Sequence, residues 1–314
     1  MNNSFEKLIV KALRGKDPAE LLEASPAALL GISAKAAQAL ATTFRIRTVR
    51  DLATHRHFHS ALALLAAAGE TGFDPGPPLH WQPFLGQAPL DFYVNHPARR
   101  FRLDFGPVYY RGRLDGTARL LLVGQDPSTN EILAQRVFVG RSGQRVQGFL
   151  RKLGLTRSYT MLNVFLYSVF GQFDAALRRT ALEPAILDFR NAFLDRLKRE
   201  NPIQAVVAIG NGARFALNNW PGAANLPVLE ITHPAAPDEK ALLASWNRAL
   251  NQLRPLLQPD TGAEPDPQPY GNTFQPEDEV PIPRHDLPFG LPDWHGTGSR
   301  STRDGNKTII WTAP

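Results

Sequence analysis

The stretch Leu120–Ser128 reads LLLVGQDPS. Its first four residues, Leu120 to Val123, form an unbroken apolar run closed by Gly124. A run that short, bounded by glycine, fits a strand buried on both faces of a sheet. Gln125, Asp126 and Pro127 follow at once, so polar chemistry begins where the strand ends. In open α/β sheets ligands bind outside the carboxyl ends of strands. Asp126 is therefore the residue against which the rest of the chain is read.

Three more strand-like runs follow: Thr160–Phe165, Ala205–Ile209 and Val228–Thr232. Helical patterns alternate with them. Val146, Phe149, Leu150 and Leu153 make one apolar face, with Ser142 as its N-cap and Gly154 as its stop. Ile186, Phe189, Phe193 and Leu197 make a second face, and Leu242, Trp246, Ala249 and Leu253 a third. The alternation predicts a three-layer α/β/α sandwich with a mostly parallel central sheet. Upstream, Val108-Tyr109-Tyr110 and Ala118–Val123 flank Leu114-Asp115-Gly116. Asp-Gly favours a hairpin turn, which would place the earlier strand antiparallel beside the key one.

Outside that region the character changes. Residues 1–75 read as a helical domain: Phe5, Leu8, Ile9 and Ala12 keep a helical period, and Asp17-Pro18 opens a second segment. Leu30–Ala53 resembles a helix–hairpin–helix unit, with Gly31-Ile32-Ser33 leading into an Ala-rich helix and Thr48-Val49-Arg50-Asp51-Leu52 opening another. Such units hold nucleic-acid backbone with helix N-terminal amides; a small helical packing module is the competing reading. His55, His57 and His59 alternate, but in helical or loop context, so no metal site is expected. Residues 76–98 read as a proline-rich linker and 99–254 as the α/β domain. Residues 255–314 hold eleven of the 27 prolines yet keep Tyr270, Phe274, Phe289, Trp294 and Trp311. That mixture predicts an extended C-terminal arm docked along the domain. Ile309-Ile310-Trp311 is its anchor candidate, and Arg300, Arg303 and Lys307 are cations it could offer to nucleic acid.

Composition narrows the chemistry. The 314 residues contain no cysteine, which excludes disulfides, zinc–thiolate sites, iron–sulfur clusters and cysteine nucleophiles. The net charge of +6 is compatible with a polyanionic partner and equally with plain solubility. No apolar run approaches the ~18 residues of a membrane span, and MNNSFEKLIVKALRGKDP lacks the apolar core of a secretory signal. A cytoplasmic monomer is expected.

Each strand presents a distinct polar residue at or near its end: Gln125 and Asp126, then Asn163, then Asn211 after Gly210, then His233. Parallel strands would bring an acid, a carboxamide and an imidazole to one edge. At these residues the sequence resembles the uracil-DNA glycosylase superfamily. Gly124-Gln125-Asp126-Pro127 matches the Gly-Gln-Asp-Pro form of its first motif. Val137–Gly143, VFVGRSG, is similar to a segment of the thermostable-type members. Leu162-Asn163-Val164 resembles the base-reading strand, and His233-Pro234 the head of the second motif.

The resemblance implies hydrolysis of the N-glycosidic bond of deoxyuridine in DNA, with no cofactor. Asp126 would orient water and stabilise the oxocarbenium-like sugar. His233 would donate to uracil O2 as charge develops there. Phe138 would stack on the extruded base and Asn163 would read its N3–H/O4 edge. Gln125 would hold phosphate or a base oxygen. Arg141, Ser142, Gln144 and Pro234 are weaker DNA-contact candidates. The physical logic agrees: dissociative cleavage puts positive charge on sugar and negative charge on base, and a carboxylate and a donor answer the two. A base must leave the stack to be reached, which calls for a stacking ring and an edge-reading amide.

The sequence departs from the family pattern in four places. The thermostable-type members hold an iron–sulfur cluster with cysteines that this chain lacks, so the arm is a candidate brace. Those members carry a Glu-Ala pair where Gln125-Asp126 stands. Ser128 occupies the position of the tyrosine that excludes thymine's methyl in Gly-Gln-Asp-Pro members. Pro234-Ala235-Ala236-Pro237 replaces Pro-Ser-Pro, leaving the intercalating residue unassigned and placing Asp238 near where phosphate would pass. Two other functions stay open. A same-fold protein that binds uracil or abasic DNA without turnover would form stoichiometric complexes. A nucleoside or nucleotide hydrolase would accept free deoxyuridine.

Overall fold

The computed structural model describes residues 9–67, 72–103, 106–171 and 173–288. The chain divides into two compact units, residues 1–71 and 72–314. The first unit is helical: α1 (Pro18–Glu23), α2 (Ala34–Phe44), α3 (Val49–Ala53) and α4 (Arg56–Ala67). Its helix starts are set by side-chain caps. Asp17 accepts from Ala19 N, Ser33 accepts from Ala36 N, and Thr48 with Asp51 forms a reciprocal capping box. The helical period read across Ile9 and Ala12 does not become an α-helix. Ile9 instead bridges Leu29, and Lys11–Leu13 is a short 3₁₀ turn; Phe5 and Leu8 lie outside the described residues.

The second unit opens with α5 (Gln82–Leu85), α6 (Leu90–Val94), β1 (Phe101–Arg102) and β2 (Arg111–Gly112). There follow β3 (Leu120–Gly124), α7 (Thr129–Ala134), α8 (Arg141–Lys152), β4 (Tyr159–Asn163) and β5 (Ser168–Val169). Then come α9 (Ala175–Thr180), α10 (Pro184–Glu200), β6 (Ala205–Ile209), α11 (Gly210–Asn218), β7 (Val228–Ile231) and α12 (Glu239–Leu253). The main sheet runs β2-β4-β3-β6-β7, with β4, β3, β6 and β7 parallel. β3 lies at its centre. Leu121 and Val123 face one core with α10 and α11, while Leu120 and Leu122 face the other with α8 and α12. Period-two alternation thus feeds two hydrophobic cores, so the unbroken apolar run is needed. The fold is the α/β/α sandwich that the alternation of strands and helices predicts.

Three local expectations are corrected. β2 pairs antiparallel with β4, not with β3. Asp115-Gly116 does make a turn, its carboxylate accepting from Thr117, but β4 is inserted between the two segments. Residues 76–98 are no linker: Trp81, Leu85 and Tyr93 are buried in the core beside α10, and Trp81 Nε1 donates to Leu114 O at 2.9 Å. Ser142 is not the N-cap of α8, which starts from Gly140. The helix begins pressed against the Phe138 carbonyl, so tightly that a Cβ on Gly143 would overlap it.

Residues 255–288 run largely without regular structure along this unit. Tyr270 and Phe274 pack edge-on against Trp246 on α12. Ile282 and Leu287 close a small cluster with Ala134 and Val139. Phe289, Trp294, Arg300, Arg303, Lys307 and Ile309-Ile310-Trp311 lie outside the described residues.

Candidate active site

The strand order changes direction at β3: the chain goes to β4 on one side, then crosses to β6 on the other. At such a switch point the connections diverge and leave a crevice outside the strand ends. A cleft of about 640 Å³ lies there, within the range of small-molecule sites. It is lined by Gln125 and Asp126 after β3, Phe138 after α7, Ser142 on α8, Gly210 and Asn211 after β6, and His233 after β7.

Asp126 is held in place from two sides. Gln125 Nε2 donates to one carboxylate oxygen at 2.9 Å, and Val169 N donates to the other at 2.9 Å. Burial pushes its carboxyl up from the ordinary value, against the opposing pull of those two donors and Arg102. His233 is open on one side and hemmed in elsewhere, and that desolvation lowers its imidazole. Its Nδ1 accepts from Ala235 N at 3.2 Å, which assigns the proton of the neutral ring to Nε2.

Phe138 combines burial with a left-handed backbone, φ +54°, which an aromatic residue rarely adopts. Both flanking peptide groups are clamped. Its N donates to Glu131 Oε1 at 2.6 Å, and its O accepts from Arg111 Nη1 at 2.8 Å. Glu131 is buried at the cleft wall and also accepts from Ser128 N. Burial and the neighbouring Asp126 charge raise its carboxyl, while the backbone donors oppose the rise.

Asn163 does not line the cleft. It sits across from Gly124 in the β3–β4 register, 3% exposed, with its Nδ2 buried and unpartnered. Phe138 and Asn163 converge on Gly124. A Cβ there would lie 2.5 Å from Phe138 Cζ and closer still to Asn163 Oδ1, so only glycine lets ring and amide meet.

The weaker DNA-contact candidates separate. Ser142 reaches the cleft. Gln144 is 4% exposed inside α8, its carbonyl accepting from Val280 N, so it has no surface to give a duplex. Pro234 is buried too, its carbonyl held by Arg145 Nη1 at 2.6 Å. Arg141 is exposed but bound to Glu279 of the arm at 2.6 Å. Sequence reasoning missed Glu131, although Ser128-x-x-Glu131 has the capping-box pattern. It also missed Arg111, whose role depends on a carbonyl 27 residues away and has no local signature.

Fold and cleft together define an α/β/α domain whose strand-edge site sets a carboxylate, an imidazole and an aromatic ring around one opening. Residues 112–253, a little under half of the chain, match the family model of the Uracil DNA glycosylase superfamily. A search of the curated proteins gave no match. Among the described residues no helix is long and apolar enough to cross a membrane.

Proposed function

We propose that the protein hydrolyses the N-glycosidic bond of deoxyuridine in DNA, releasing uracil and leaving an abasic site. The observation that carries this reading is the convergence of Asp126, His233 and Phe138 on one cleft at the switch point. Asn163, whose Nδ2 is buried without a partner, meets the same ring over Gly124 through its Oδ1 side.

In this reading the extruded base stacks on Phe138, and Asn163, closed off from the cleft until the neighbouring ring shifts, supplies the amide that reads the uracil edge. Asp126 stands by the sugar, where it orients water and offsets the positive charge of the oxocarbenium-like centre. His233 Nε2–H donates to O2 of the departing base. Such preorganised groups act on charge that exists only in the transition state, and losing one donor typically costs ~10²–10³ in rate. The reading invokes no metal and no organic cofactor. It takes the protein to work as a monomer in the cytoplasm.

The test incubates labelled uracil oligonucleotides, single- and double-stranded, with wild type, Asp126→Asn, Asn163→Ala and His233→Ala, followed by alkaline cleavage. Excision by the wild type and a clear loss in all three variants are expected. Equal activity in all four proteins would remove the site assignment. A stoichiometric complex without turnover would favour a binding protein, and cleavage of free deoxyuridine a nucleoside hydrolase.

A further inference from the structure

Two smaller pockets adjoin the cleft, and their charges differ. The first, about 360 Å³, is walled by Arg141, Arg145, Glu239 and the 234–237 loop. Its cations are spent. Arg141 and Arg145 both bind Glu279, at 2.6 and 3.0 Å, and Arg145 also binds Glu239 at 3.2 Å. Two guanidiniums facing two carboxylates leave no net charge for an anion.

The second pocket, about 350 Å³, shares Gly210, Asn211, His233 and Ala236 with the cleft. Beyond them stand Arg214, Glu230, Ser245 and Arg248. Arg214 and Glu230 pair loosely at 3.5 Å with both side chains about half exposed, an arrangement worth little. Arg248 is exposed and has no hydrogen bond or ion pair among the described residues. The pocket therefore keeps one uncompensated positive charge. The amino end of the nine-residue α11, at Gly210 and Asn211, adds its partial positive charge at the shared rim.

We infer that this second pocket is the subsite for the phosphodiester flanking the nucleotide held in the cleft, with Arg248 as its principal cation and Arg214 in support. The inference rests on the glycosylase reading and extends it by saying which way the strand leaves. A nucleotide in a polynucleotide carries a phosphate on each side, and one of them must pass a rim of the cleft. Of these two pockets, the Arg248 side is the one that offers a charge phosphate can use without displacing a carboxylate from its partner. It also favours a phosphate-bearing substrate over a free nucleoside, which has nothing to place there.

The experiment uses the full chain and a short single-stranded oligonucleotide with one uracil. Wild type, Arg248→Gln, Arg214→Gln with Arg248→Gln, and the charge-matched control Arg199→Gln are assayed across a salt series. The double variant should raise KM several-fold with kcat within about two-fold. Its log KM against log salt should flatten by ~0.7, the value of one phosphate contact on a single strand. One neutral methylphosphonate on the correct side of the uracil should reproduce the change in wild type and add nothing in the double variant. Unchanged KM and slope, or an equal change in Arg199→Gln, would overturn the subsite. Anisotropy of the same oligonucleotide on Asp126→Asn reads the slope without turnover. Binding with no excision by wild type would then sink the glycosylase reading alone.

Discussion

Arg111 Nη1 donates to the carbonyl oxygen of Phe138 at 2.8 Å, from a side chain with no solvent exposure. The same guanidinium donates to Gln147 Oε1 at 3.1 Å and stands 3.5 Å from Asp286 of the arm. Asp286 in turn takes Arg113 at 2.5 Å and the Tyr159 hydroxyl at 2.7 Å. The ring at the cleft is thus fixed, through one arginine, to a carboxylate 148 residues further along the chain.

Arg111→Met should therefore act twice. It leaves a buried carboxylate short of a partner, which typically costs about 3–5 kcal/mol; Arg113 and Tyr159 keep the loss at the lower end. It also frees the backbone of Phe138, and kcat/KM should fall about ten-fold or more. Urea unfolding read beside steady-state kinetics checks both. A stable variant with full activity would show that the link does nothing.

Gly124→Ala inserts one methyl where Phe138 and Asn163 meet. Overpacking of this kind costs typically ~1–3 kcal/mol, so the domain should still fold. Either the ring or the amide must move, and base recognition should drop by at least ten-fold in KM or kcat. Circular dichroism and uracil excision are the two measurements. Wild-type excision would mean that the contact is idle.

The Asp126 carboxyl is raised by burial. The carboxylate that the proposed mechanism uses therefore fills only above a pH higher than the ordinary aspartate value of about 3.9. The acid limb of kcat/KM should lie above that value. His233 is lowered, so its ring is neutral through the physiological range and titrates only on the acid side. A pH–rate profile tests this, and a limb at or below the ordinary value would contradict it.

Asp260 docks the start of the arm. Although burial opposes it, the Ser158 hydroxyl and the backbone N–H groups of Arg157, Ser158 and Thr156 hold its carboxyl well below the ordinary value. Asp286 is lowered likewise, with Arg113 and Arg111 outweighing its burial. A folded pKa below the unfolded one gives stability that is complete above about pH 4 and lost as pH falls through the lower folded value. Stability to heat should therefore fall steeply on acidification below that pH. Asp260→Asn should flatten the dependence and cost ~1.5–3 kcal/mol at neutral pH, the range for hydrogen bonds to a charged group. An unchanged profile would count against the docking role.

The arm also supplies partners that the sequence does not announce. Arg141 pairs with Glu279, 138 residues later, and nothing in its neighbouring sequence says so. Gln144 looks available because polarity does not reveal that residue 280 lies against its carbonyl. The stretch 76–98 looks like a linker by its prolines, yet three large apolar side chains there complete a core.

By itself the sequence determined the four parallel strands β3, β4, β6 and β7, the helices α8, α10 and α12, and the polar residue at or near each strand end. Their signals are local, a period of two or 3.6 and a break at glycine. Tertiary structure decided the order β2-β4-β3-β6-β7, the left-handed seat of Phe138, and which arginines are left with charge to spare. Those depend on partners tens to hundreds of residues away. Hydrogen bonds and ion pairs act through space over a few ångströms, and spacing along the chain does not encode that distance.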